Sequence, residues 1–162
     1  YNDIAITGKL AVVLGSGGAA RAVMKYLADQ EAGEIYLVTR DVTAVDKHFL
    51  EIAPNCKVID YAELESIKGD VIINCTPVGM YPKVEASPVS DKVTANFEAA
   101  VDLIYNPAET LFLRQAKEAG KKYVNGLFML VAQAVAAQEI WQGQQYDSDL
   151  IVQIMADLER NI

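Results

Sequence analysis

Polar and apolar positions alternate along this chain in two rhythms. Short, almost wholly apolar runs of strand length give way repeatedly to stretches whose apolar residues recur every three or four positions. "KLAVVLG" is the first such run and ends in glycine, the kind of strand buried on both faces of a parallel sheet. "GGAARAVMKYLADQ" follows, with Ala22, Val23, Tyr26 and Leu27 at helical spacing, and it ends near "EAGE". "EIYLVTR" is a second strand, and "VTAVDKHFLEIA" a second helix stopped by Pro54. "KVID" is a short third strand and "YAELESI" a helical turn or two. "DVIINCT" is a fourth strand, followed by a long loop from Pro77 to about Asn96 that reads as the most mobile element. "AAVDLIY", a helix "AETLFLRQAKEAG" closed by Gly120, and a sixth strand "KKYVN" complete the alternation. "GLFMLVAQAVAAQEIWQG" and "DSDLIVQIMADLERN" then read as two helices, the second capped by Asp147 or Ser148. Strands and helices in this order predict an α/β fold, a doubly wound parallel six-stranded sheet with C-terminal helices.

Composition narrows what such a sheet is for. With 162 residues, 52% hydrophobic, the chain is long enough for one well-buried core and too apolar for disorder. The net charge of -8 argues against nucleic acid, whose phosphates need a basic face. The most apolar window, Gly126 to Ala137, is about a dozen residues and is interrupted by Gln133, too short for a membrane span. "YNDIAITGK" has no basic patch leading into an apolar stretch, so it is not a secretion signal. Cys56 and Cys75 stand in no metal-ligand spacing and read as reduced core thiols of a cytoplasmic protein. His48, the one histidine, sits among "DKHFLE" and reads as a solvated surface residue.

An acidic protein can still hold an anion in a small local site, and "VVLGSGGAARAV" provides one. Gly15, Gly17 and Ala20 fall at G-x-G-x-x-A spacing after the first strand and at the start of a helix, a Rossmann-like arrangement. The first glycine makes a tight turn, the second admits a pyrophosphate against bare backbone, and the small third residue lets helix pack on strand. The unpaired N–H groups of the helix and its dipole favour phosphate, the dipole alone by about 0.3–1 kcal/mol. At the end of the second strand stands "VTRD". Arg40 suits the 2′-phosphate of NADP, a charge-assisted contact of about 1.5–3 kcal/mol. Asp41 would oppose that phosphate, unless its carboxylate caps the helix that it starts. NADP is the expected cofactor, with NAD permitted.

Three further stretches, "INCTPVGM", "VDLIYNPAETLFLRQAKEAG" and "VNGLFMLVAQAVAAQEIWQG", go beyond the generic fold. With "GSGGAARAV", in this order and spacing, they resemble the cofactor-binding half of shikimate dehydrogenase over nearly the whole chain. The resemblance implies a diphosphate loop at Gly15, Ser16, Gly17, Gly18 and Ala19. It places Thr39, Arg40 and Asp41 where the family usually has Asn-Arg-Thr, so only the arginine is retained. Thr76 and Met80 match the segment beside the nicotinamide ribose, Leu103 a backbone contact to the nicotinamide end, and Gly126 and Met129 the floor under that ring. Tyr105 and Gln133 match substrate-facing positions. By pattern alone Leu127, Met129 and Leu130 are core, and Gln133, on an otherwise apolar helix, reads as a buried amide needing partners.

The resemblance further implies NADPH-dependent reduction of 3-dehydroshikimate to shikimate, in aromatic amino-acid biosynthesis. The lysine and aspartate that assist proton movement in the family belong to a preceding substrate domain, and no residue here matches them. "YND" only superficially resembles the family's Asn-Thr-Asp segment, and Asp3 reads as a frayed terminus. The expected organisation is a tail over residues 1–8 and a dinucleotide-binding domain over 9–162 that is inactive in isolation and self-associates through its exposed cleft wall. Two alternatives remain open, the corresponding domain of an NAD-using quinate/shikimate dehydrogenase and a non-catalytic dinucleotide sensor.

Overall fold

The computed structural model describes residues 4–160. Asp3 therefore lies outside the described residues. Six strands form one all-parallel sheet: β1 Leu10–Leu14, β2 Glu34–Val38, β3 Cys56–Ile59, β4 Gly69–Asn74, β5 Phe97–Asp102 and β6 Lys122–Val124, in the spatial order β3-β2-β1-β4-β5-β6. The chain starts in the middle, walks outward through β2 to β3, then returns to the other side of β1. That reversal opens a crevice at the carboxyl ends of β1 and β4, where doubly wound sheets bind ligands.

Among the described residues seven α-helices accompany the sheet: α1 Gly18–Asp29, α2 His48–Ile52, α3 Tyr61–Leu64, α4 Asp91–Ala95, α5 Leu111–Glu118, α6 Leu127–Gln142 and α7 Ser148–Glu159. Because successive strand residues point to opposite faces, β1 feeds two cores. Ala11 and Val13 pack with Met24, Leu27, Ile35, Leu37 and Phe49. Val12 and Leu14 pack with Leu64, Ile72, Phe97, Phe112 and Leu113. A third cluster, Leu127, Val131, Val135 and Met155, joins α6 to α7. Asp147 is the N-cap of α7, accepting from the Asp149 N–H at 3.0 Å, and Gly143 closes α6 in the left-handed region at φ 65°. Among the described residues no helix is long and apolar enough to cross a membrane.

The sheet has the predicted strands, and two connections differ from the sequence reading. The single helix expected over "VTAVDKHFLEIA" is split into a 3₁₀ turn at Val42–Ala44 and the short α2. Asp41, just before this stretch, makes ordinary N-cap bonds, and the break comes at Asp46, which takes the His48 N–H that an uninterrupted helix would give to a backbone carbonyl. Asp41 Oδ1 accepts from the Thr43 and Ala44 N–H groups at 2.9 and 3.2 Å, while Asp46 accepts from the His48 N–H at 3.0 Å and from Arg21 at 2.6 Å. The stretch from Pro77 to Asn96, expected to be loop throughout, contains α4. Ser90 caps it, accepting from the Val93 N–H at 3.4 Å, and Val93 and Thr94 are buried. His48 is exposed and pairs with Glu51 at 2.8 Å. Both cysteines are free, and burial pushes the Cys56 thiol up to about 11 and the Cys75 thiol up to about 12. At both, burial disfavours the thiolate, the reactive form of the side chain.

Candidate functional site

Three loops leave the carboxyl edge of the sheet side by side, after β1, β4 and β5. They enclose a cleft of about 490 Å³. Gly17, Gly18 and Ala19 line it from the first loop, Thr76 and Met80 from the second, Leu103 and Tyr105 from the third. Seven of the residues singled out from the sequence therefore face one space, joined by Cys75, Pro77, Tyr81, Ile104 and Asn106.

The first loop is shaped by its glycines. Gly15 sits at φ +93°, a region L side chains rarely adopt, and a Cβ there would meet the Thr76 methyl at 2.8 Å. The turn can thus press against the loop after β4 only because residue 15 lacks a side chain. Gly17 and Gly18 are different. Neither has a positive φ, and a Cβ on either would have no neighbour within 4 Å, so their bare backbone faces open space. Gly17 is the N-cap of α1 and supplies no side-chain hydrogen bond. By contrast α3, α4, α5 and α7 are each capped by a side chain, from Asp60, Ser90, Thr110 and Asp147. The first-turn N–H groups of α1, with no acidic residue in that turn, point into the cleft with their positive dipole uncompensated. A diphosphate fits this donor set.

At the end of β2, Thr39 is half-buried and Arg40 and Asp41 are exposed. Asp41 is committed to its own turn: besides the two N–H groups it accepts from Thr43 Oγ1 at 2.7 Å. Those bonds hold its carboxyl below the usual carboxylate range. Arg40, among the described residues, has no carboxylate within ion-pair distance.

A buried polar group that sequence reasoning passed over lies under the cleft. Asn74, Asp102 and Thr110 are all 0% exposed. Asn74 Oδ1 accepts from the Thr76 N–H at 3.0 Å and from Thr76 Oγ1 at 2.7 Å, while its Nδ2 donates to Asp102 at 3.0 Å and to the Val78 carbonyl at 3.3 Å. Asp102 also accepts from the Ile104 N–H at 3.0 Å and from the Thr110 hydroxyl at 2.7 Å. Burial raises the Asp102 carboxyl above its ordinary value, against these three sets of bonds. The only sequence signal was a polar residue ending each of two apolar strands.

The third loop is held from the other side by Gly126. Its N–H donates to the Ile104 carbonyl at 3.0 Å, and a Cβ on it would lie 2.0 Å from the Leu103 carbonyl oxygen. Residue 126 must be glycine for α6 to start this close to the cleft. Met129 is half-buried on α6 and Gln133 lies one turn further along the same face. The sequence reading of Gln133 as a buried amide is incorrect: it is exposed, because α6 buries Leu127, Val131 and Val135 against α7 and turns Gln133 away from them. Leu130, taken as core by pattern, is also exposed, at 38%. Neither Met129 nor Gln133 lines the cleft within this chain.

No protein-family model matches the chain. Its curated relatives include the shikimate dehydrogenase (NADP(+)) of Clostridium beijerinckii, 46% identical over 151 residues, covering 92% of this chain and 54% of that protein. Among solved structures, a chorismate mutase/shikimate 5-dehydrogenase fusion protein from Clostridium acetobutylicum is 54% identical at a TM-score of 0.89, covering 98% of this chain and 57% of that one. A shikimate dehydrogenase in complex with NADP+ is 33% identical at a TM-score of 0.77, covering 94% and 55%. The chain spans about half the length of the relatives it matches. Over the segment it spans, with its six-stranded parallel sheet and glycine turn, the chain is similar in sequence and fold to the corresponding half of these shikimate dehydrogenases.

Proposed function

We propose that this chain is the dinucleotide-binding part, residues 9–162, of a shikimate dehydrogenase, and that it holds NADP across the carboxyl edge of the sheet. The observation that carries this reading is the uncapped start of α1, whose bare glycines open into the same cleft as Thr76, Leu103 and Tyr105. Gly15, Ser16, Gly17, Gly18 and Ala19 receive the diphosphate. Thr39 and Arg40 take the 2′-phosphate end. Asp41, occupied by Thr43 and Ala44, is diverted from the ribose hydroxyls that an NAD site would offer it. Thr76, Met80 and Leu103 flank the nicotinamide half, with Gly126 and Met129 beneath it. The bound nicotinamide supplies the hydride acceptor or donor. Tyr105, 43% exposed at the mouth of the cleft, and the exposed Gln133 present polar groups to a shikimate-class substrate. The relative solved with NADP+ and the curated NADP(+) enzymes support the cofactor assignment.

Hydride transfer needs the substrate carbon held about 3–3.5 Å from the ring, by groups that also move a proton. In this chain Asp102, at the end of β5 below the cleft, is 0% exposed and committed to Asn74, Ile104 and Thr110. Tyr105 at the cleft and Gln133 on α6 outside its lining can orient a hydroxyl, from one side only. The 162-residue chain therefore binds dinucleotide without turning over shikimate, and the second wall comes from a separate substrate domain.

Four outcomes are expected. Calorimetric titration gives tighter binding of NADP than of NAD. Arg40→Ala weakens NADP about 10- to 150-fold, the equivalent of 1.5–3 kcal/mol, and shifts NAD less than threefold. An unchanged NADP affinity would return Arg40 to the solvent. In Gly17→Asp a carboxylate caps α1 and occupies the phosphate position. The variant melts at or slightly above the parent's temperature, yet its NADP affinity drops at least tenfold. Equal affinity would place the diphosphate elsewhere. Following NADPH absorbance with shikimate and NADP shows no steady turnover by the chain alone, and sustained turnover would refute its dependence on a partner domain.

A further inference from the structure

We propose that Asn74 and Asp102 are positioning residues that lock the loops after β4 and β5 to each other, and so fix where the nicotinamide half of the dinucleotide lies. This rests on the dinucleotide-binding reading above.

The register of the sheet isolates the pair. One row of neighbours crosses the carboxyl end of the sheet, Ile59 beside Val38, Val38 beside Leu14, Leu14 beside Asn74 and Asn74 beside Asp102. The row is apolar on β3, β2 and β1, the last of these ending below the glycine turn, and polar on β4 and β5, below the other two loops of the cleft. Packing does not require this change, since Leu14 and Val38 fill the equivalent places with no polar atom and are 0% exposed. An amide and a carboxyl at full burial cost stability unless every bond is made.

The bonds they make run to cleft backbone on both sides. Asn74 holds the N–H and hydroxyl of Thr76 and the Val78 carbonyl; the Thr76 hydroxyl in turn accepts from the Val78 N–H at 3.2 Å. Asp102 holds the N–H of Ile104, the residue between Leu103 and Tyr105. The Asn74–Asp102 bond couples the two loops, and Thr110, which caps α5 by accepting from the Leu113 N–H at 3.3 Å, braces the carboxylate from behind. The set makes no hydrogen bond to Arg40 or to the glycine turn, which it meets only at the Thr76 methyl against Gly15 and which is held instead by the Gly15 N–H on the Val38 carbonyl at 2.8 Å. Loosening it therefore frees the ring end of the ligand while leaving the adenosine end in place.

The test uses two probes on the full chain: NADPH, read by its reduced-nicotinamide fluorescence, and 2′-phospho-ADP-ribose, which lacks the nicotinamide, read by calorimetry. In the parent, bound NADPH shows an emission shift relative to free cofactor. Asp102→Asn keeps the volume but turns an acceptor oxygen into a donor. It should bind 2′-phospho-ADP-ribose within threefold of the parent, while NADPH affinity falls at least tenfold and the bound-state emission shift falls by half or more. Thr110→Val should reproduce this split with a smaller amplitude and Thr110→Ser should restore it, which keeps the proposal testable if Asp102→Asn does not fold. Unchanged NADPH affinity and emission in the folded variants would overturn the proposal, as would equal weakening of both probes. Failure of the parent to bind either probe would overturn the dinucleotide reading and this proposal with it.

Discussion

β1 is hydrogen bonded to β2 on one side and to β4 on the other, and the chain leaves these neighbours in opposite directions. That pairing constrains everything at the carboxyl edge. A helix must leave β1 and a loop must leave β4 across the same crevice, and the two can approach only where one of them has no side chain. Gly15 meets the Thr76 methyl at that point, and any larger residue would force the walls apart. The contact brings the exposed N–H groups of α1 beside the segment that flanks the ring end of the cleft. Anion binding by a chain of net charge -8 is possible because these fixed backbone dipoles are local, and the charge elsewhere is largely screened beyond about 8–10 Å.

Asn74 and Asp102 do for the other two loops what Gly15 does for the first. The glycine acts by absence, admitting close approach. The polar pair acts by presence, specifying one arrangement of Thr76, Val78 and Ile104 out of the many that loops could adopt. Gly126, packed on the Leu103 carbonyl, completes the set from α6. The chemistry of the cleft is thus built from backbone held in place, and its exposed side chains, Met80, Tyr81 and Tyr105, stand at the rim. Those rim groups are the side chains that the cleft exposes at its mouth.

What could be read from the sequence follows from how local each determinant is. The strands were visible because a buried parallel strand is apolar throughout, as in Val12, Val13 and Leu14. The glycine turn was visible because its glycines sit beside each other in the chain. Asp41 was legible as a cap because its partners, Thr43 and Ala44, are two and three residues away. The break after it was not, because Asp46 is drawn out by Arg21, 25 residues earlier. Asn74 and Asp102 were missed for the same reason, being 28 residues apart in sequence and adjacent only through the β4–β5 register. Gln133 was misread because "GLFMLVAQAVAAQ" is apolar all round, and pattern alone cannot say which face of α6 meets α7. The glycine motif and the family resemblance named seven of the residues that line the cleft, together with Met129 and Gln133, which do not; the hydrogen bonds that hold the loops came only from the folded chain.

The central claim is that phosphates rest on the bare N–H groups at the start of α1 while the ring lies against the loops after β4 and β5. Backbone amide resonances recorded during an NADP titration test this most directly. The account predicts that the largest shifts fall on Gly17, Gly18 and Ala19, with a second set on Thr76, Leu103 and Ile104. Shifts centred on the groove between α6 and α7 instead, with the glycine amides unmoved, would contradict it.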